Sequence, residues 1–172
     1  DSGVLTPPTG GLDPAHVGLF VSWDALFHAG RGRAGSTPER YFLFGHSAGA
    51  QVVHRLVTFG WSPLIERAVS ANAGSYTMPL RDEPFPFGLG GVAVGDDELC
   101  ALFARPLLVL LGEEDNDENH HQLPREPGAM RQGPHRLARG HHYVDTARRE
   151  AQRLGVALGW QIATAPGVAH SN

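Results

Sequence analysis

Gly45-His46-Ser47-Ala48-Gly49 sets a serine between two glycines in the pattern G-x-S-x-G. A serine hydroxyl attacks a carbonyl only when it is turned out of the backbone, when a base takes its proton, and when a donor waits for the developing oxyanion. A sharp strand-to-helix turn meets the first need by forcing the middle residue into a strained conformation that exposes its hydroxyl. The flanks suit such a turn. The apolar run Tyr41-Phe42-Leu43-Phe44 precedes it, and Val52, Val53, Leu56 and Val57 follow at helical spacing. Side chains at 45 and 49 are expected to collide with the neighbouring strand and helix. The N–H of Ala48, opening the helix, is the expected oxyanion donor.

The serine calls for a histidine base and a carboxylate that orients it. In this architecture the chain order is serine, acid, histidine. After Ser47, the apolar run 107–111 leads into Gly112-Glu113-Glu114-Asp115, so Asp115 is the acid, with Asp117 as the alternative. The final apolar stretch, 160–164, leads to Pro166-Gly167-Val168-Ala169-His170, and position singles out His170 among ten histidines. His46, Asn72 and Tyr76 are candidate substrate contacts, since each lies near a strand end on the same edge. Phe85 and Phe87 are candidate linings of an acyl pocket. Asp115, Asp117, Asn119, His121 and Glu126 also match positions 1, 3, 5, 7 and 12 of a calcium loop, but position 6 is His120 where that loop needs glycine. No metal site is therefore assigned.

These residues need elements to hold them. Asp13-Pro14 reads as a helix start, with apolar spacing to Phe27 and a stop at Gly30. Continuous apolar runs predict strands at 41–44, 64–70, 107–111 and 160–164, the first buried on both faces. Helices are expected through 52–60, 96–104 and 144–154, with a loop from 112 to about 133. Residues 73–95 read as a surface excursion, and 73–105 as a lid-like unit within a single domain spanning 1–172. Strands alternating with helices give the α/β class with a parallel sheet.

The 172 residues are 41% hydrophobic and 19% charged, enough to bury a core. A net charge of -4 argues against nucleic acid as partner, and no apolar run is long enough to span a membrane. One cysteine, Cys100, excludes an internal disulfide. All 14 basic residues are arginine. No targeting leader follows Asp1.

The segments FGHSAGAQVVHRL (44–56), SANAGSYTMP (70–79), LLGEEDND (110–117), GPHRLARGHHY (133–143) and PGVAHSN (166–172) together resemble bacterial α/β-hydrolases of the polyhydroxyalkanoate depolymerase-like group. The resemblance implies an α/β-hydrolase fold, hydrolysis of a small or polyester-derived carboxylic ester, no cofactor, and a triad on Ser47, Asp115 and His170. Such enzymes have several strands before the serine turn, whereas only 46 residues precede Ser47 here. The expectation is a sheet lacking its first strands, completed by a further segment or by a second copy across the open edge. A domain that packs against a partner with little activity is the alternative expectation.

Overall fold

A computed structural model describes residues 14–170, with side chains from Ser22 onward. In chain order the elements are α1 (Pro14–Ala34), β1 (Tyr41–His46), α2 (Ala48–Phe59), β2 (Ile65–Ala71), α3 (Asp96–Ala104), β3 (Leu107–Gly112), α4 (Pro127–Gln132), α5 (Arg136–Leu154) and β4 (Gln161–Ala165). The strands form one parallel sheet in the order β1-β2-β3-β4. The register aligns His46, Ala71, Leu110 and Ala163 across the sheet. All four C-terminal ends therefore lie along one edge, where the loops that follow them converge.

The core explains the element choice. Val53, Leu56 and Val57 of α2, Leu99, Leu102 and Phe103 of α3, and Tyr143, Val144, Ala147 and Ala151 of α5 join Leu43, Ala68, Leu107, Val109 and Leu111 in one buried cluster. Trp160 closes it, edge-on to Phe103, with its indole N–H donating to the Leu102 carbonyl.

Several expectations change. The N-cap expected at Asp13 lies outside the described residues. α1 does not stop at Gly30 but runs to Ala34, and Gly35, at φ 58°, ends it by letting the Ser36 N–H return to the Arg31 carbonyl. β1 is not buried on both faces: Leu43 and Gly45 face the core, while Phe42 and Phe44 are 66% and 64% exposed. Residues 73–79, read as the start of a surface excursion, are buried. Met78 N–H donates to Phe87 and Leu89 N–H to Leu80, folding the segment back on itself. α4 interrupts the loop expected to run to about 133, with Pro127 in its first turn.

Burial also claims His54. Its Nδ1–H donates to the Ala50 carbonyl at 3.0 Å, and its Nε2 accepts the Thr77 N–H at 3.0 Å. The imidazole is thus neutral, and burial, with Arg55 nearby, holds its pKa well below the ordinary 6.5. The unfolded chain takes up a proton near pH 6.5 that the folded chain refuses, so stability falls as pH drops below that value. Between pH 7.5 and 5.5 urea unfolding should record a loss of about 1 kcal/mol from this residue. His54→Gln, which keeps a donor and an acceptor but does not titrate, should remove that part of the pH dependence; an unchanged slope would refute the assignment.

Candidate active site

Ser47 stands between β1 and α2 with φ 55° and ψ -116°, so the expected strained turn is present. Its N–H is tied to the Ala71 carbonyl at 2.9 Å. Glycine at 45 is obligatory, because a Cβ there would fall 2.3 Å from the Gly49 carbonyl oxygen. The parallel expectation for Gly49 does not hold: a Cβ at 49 would meet nothing within 4 Å. Ala48 opens α2 and is exposed, with its N–H in the first turn of the helix where no intrahelical acceptor exists.

His170 and Asp115 meet Ser47. His170 Nε2 lies 3.0 Å from Ser47 Oγ, and His170 Nδ1 lies 2.8 Å from Asp115 Oδ2. With the carboxylate accepting from Nδ1–H, Nε2 is left to accept from the serine hydroxyl. Asp117 does not reach the imidazole; it is exposed and its Oδ1 accepts the Asn119 N–H. Burial pushes the His170 pKa down. Arg136 and His46 push the same way, and Asp115 opposes them.

The loops that carry these groups are joined by backbone bonds. Glu113 N–H donates to Ala165 and Glu114 N–H to Val168, so the segment after β3 is laced to the segment after β4. Gly112 permits this approach, since a Cβ there would fall 2.4 Å from the Val168 oxygen. Asn72, at φ 51°, accepts the Gly112 N–H on its side-chain oxygen at 2.7 Å. It thus clamps β2 to β3 and is engaged within the protein. Tyr76 is fully buried, stacked on Tyr143 and beside His54, and its backbone is held by Gln132. His46 stacks on His170 at 4.8 Å between ring centroids. Of the two candidate pocket phenylalanines, Phe87 lines a cavity beside α2, while Phe85 packs against Phe59 and the Arg55 guanidinium.

Sequence reasoning missed Arg136. It is 1% exposed, and its Nη1 lies 3.3 Å from Asp115 Oδ1. Its Nη2 lies 3.4 Å from His120 Nδ1, which also accepts the Gln122 N–H. His120 in turn meets His170 edge-on. The Leu137 N–H adds a bond to the Asp115 carbonyl. No pattern in the sequence distinguishes this arginine from the surface ones. The calcium-loop alternative loses its first ligand, because Asp115 is committed to His170 and Arg136. Among the described residues no cluster of three or more His, Cys, Asp or Glu side chains could hold a metal ion.

No family model and no curated protein matches the chain. Solved structures do. Poly(aspartic acid) hydrolase-1 from Sphingomonas sp. KT-1 superposes with a TM-score of 0.88 at 40% identity, over 97% of this chain and 63% of that one. LpqC, a poly(3-hydroxybutyrate) depolymerase from Bordetella parapertussis, does so with a TM-score of 0.86 at 36% identity, over 98% of this chain and 57% of that one. The chain spans less than two thirds of the length of either neighbour.

Arg136 gives this arrangement a measurable signature. Its charge lowers the His170 pKa, so Arg136→Met should raise it, as read from the imidazole resonances in an NMR titration. Leaving Asp115 buried with one partner fewer should also cost about 3–5 kcal/mol of stability. A His170 pKa that stays put or falls would show that the guanidinium charge is not felt there.

Proposed function

We propose that this chain, an α/β-hydrolase similar to the polyhydroxyalkanoate depolymerase-like group, is a serine hydrolase that cleaves carboxylic esters through an acyl-enzyme. The observation that carries this reading is the hydrogen-bonded line from Asp115 through His170 to Ser47, at 2.8 and 3.0 Å. In it, Ser47 Oγ attacks the ester carbonyl carbon while His170 Nε2 takes the hydroxyl proton. Asp115 holds the Nδ1–H and stabilises the imidazolium, and the Ala48 N–H donates to the oxyanion. The tetrahedral intermediate then expels the alcohol, which leaves with the proton from Nε2. Water, deprotonated by the same nitrogen, attacks the acyl carbonyl; the acid departs and the serine regains its hydrogen.

The substrate class follows the same logic. The two neighbours are named for poly(3-hydroxybutyrate), a polyester, and poly(aspartic acid), a polyamide. Both are chains of acyl links, which is the bond this arrangement attacks. A small ester or a fragment of a polyester is the substrate of the present reading. A packing role is the second reading, and one observation favours it: Phe42 and Phe44 stand exposed on β1, the outer strand of the described sheet. A second copy or a further segment across that strand would cover them.

Turnover of p-nitrophenyl acetate and butyrate tests the first reading. Ser47→Ala should lower kcat/KM by at least about a thousandfold, since loss of the nucleophile leaves only binding and oxyanion stabilisation. Activity should rise with pH through a His170 pKa below 6.5 and be level near neutrality, because the base works only when unprotonated. Equal turnover by wild type and Ser47→Ala would sink this reading in favour of the packing role.

A further inference from the structure

A cavity runs beside the helix that carries the serine. Gln51 and Arg55 stand four residues apart on α2, and Ser47, four residues before Gln51, caps the same helix. These positions form one stripe. The Cα of Arg55 lies about 12 Å along the axis from that of Ser47, and long helical side chains lean toward the N-terminus. Gln51 and Arg55, with Ser75, Phe87, Pro124 and Glu126, line a cavity of ≈ 330 Å³.

Arg55 is only partly engaged there. Its Nε donates to Thr77 Oγ1 at 3.2 Å, and its guanidinium carbon lies 6.0 Å from the centroid of the Phe85 ring. Neither Nη has a hydrogen-bond partner among the described residues, and no carboxylate there comes within 4 Å of it. Burial pushes its pKa down with no neighbouring acid to oppose the shift. A partly desolvated cation without a counter-ion is costly, and a planar fork with two free nitrogens matches a carboxylate bidentately. Glu126 is the one acid on the cavity wall. Its charge also acts on Arg139.

The cavity walls are held in place. Arg139 Nη1 donates to the Gly74 carbonyl at 2.6 Å and to the Pro124 carbonyl at 3.0 Å, binding together the two loops that face Arg55. A Cβ at Gly74 would fall 2.8 Å from Pro124, so these loops are already in contact.

We propose that this cavity is a carboxylate subsite, in which the two Nη groups of Arg55 hold an anionic group on the acyl chain of the substrate, several bonds from the scissile carbonyl. The word substrate rests on the ester-hydrolase reading above; capture of a carboxylate by Arg55 does not. The enzyme thereby selects acyl groups that end in, or carry, a second carboxylate.

The experiment has two arms. In the first, kcat/KM is measured for mono-p-nitrophenyl glutarate, whose acyl chain ends in a carboxylate, and for p-nitrophenyl pentanoate, its uncharged counterpart. Arg55→Met should lower the charged-to-uncharged ratio by about ten- to a hundredfold, and Arg55→Lys, which keeps the charge but loses the fork, should restore part of it. In the second arm glutarate alone is titrated calorimetrically into wild type, Ser47→Ala and both Arg55 variants. Binding to wild type and Ser47→Ala that is lost in Arg55→Met supports the subsite whether or not the protein turns over esters. If Arg55→Met does not unfold cooperatively, Arg55→Lys decides, since an unchanged ratio and unchanged glutarate binding in it would overturn the proposal. A ratio and a binding heat indifferent to Arg55→Met overturn it as well. If turnover survives Ser47→Ala while glutarate binding still needs Arg55, the hydrolase reading falls and the subsite stands.

Discussion

A carboxylate buried to 2% exposure constrains the whole C-terminal half of the molecule. A polar group so buried needs partners to replace the water it has lost. Asp115 finds them on two different elements. His170, beyond β4, takes one oxygen, and Arg136, at the start of α5, takes the other. α5 is thereby pinned at its first turn, and its Tyr143, Val144, Ala147 and Ala151 are delivered to the core. The segment beyond β4 is pinned too, with its backbone laced to Glu113 and Glu114. β4 itself is mostly exposed and contributes little burial, so it is held by its ladder to β3 and by these bonds at its end.

The other half of the site stores strain where the first half stores charge. Ser47 and Asn72, at φ 55° and 51°, are the two described non-glycine residues at positive φ, and each follows a strand on the same edge. Conformations of this kind cost on the order of 1–3 kcal/mol each and persist only where surroundings hold them. Ser47 is held by its bond to Ala71 and by the contact of Gly45 with Gly49, and Asn72 by its bond to Gly112. The two strained residues are linked in turn through the β1–β2 ladder, where His46 faces Ala71. Backbone geometry therefore sets the place from which the serine hydroxyl meets His170.

What could be read from the sequence is what a period or a turn records. The runs 41–44 and 107–111 announced strands, G-x-S-x-G announced the turn, and strand ends led to Asp115 and His170, which the structure brings to Ser47. The failures share a cause. Arg136 and Arg139 are among the most deeply buried large side chains, yet arginine reads as surface in any composition argument. His54 sits on α2 with the same spacing as its apolar neighbours, and only the Thr77 N–H above it reveals why it is there. Phe42 and Phe44 look like core in sequence because apolarity does not say which side of a strand is covered. Gly30 looked like a helix stop because glycine lowers helix propensity, but the actual stop is the glycine that adopts the left-handed conformation, Gly35.

The chain's exclusive use of arginine has a structural consequence on this edge. Arg139 donates to the carbonyls of Gly133, Gly74 and Pro124, joining three loops at one guanidinium. None of those acceptors is charged, and burial pushes its pKa down to about 10, which leaves it cationic at neutral pH. Arg105 does similar work at the far end of α2, where Nη1 donates to the carbonyls of Val57 and Thr58 that the helix end leaves unpaired. A lysine has the charge for these positions but not the geometry, since its three donors radiate from one nitrogen and cannot reach carbonyls spread across three loops. The loops that meet at Arg139 are thus tied by one planar, multi-donor cation, and the last turn of α2 by another. Arg136 meets Asp115 and His120 through its two Nη groups while its buried Nε has no partner, and neither Nη of Arg55 has a partner among the described residues.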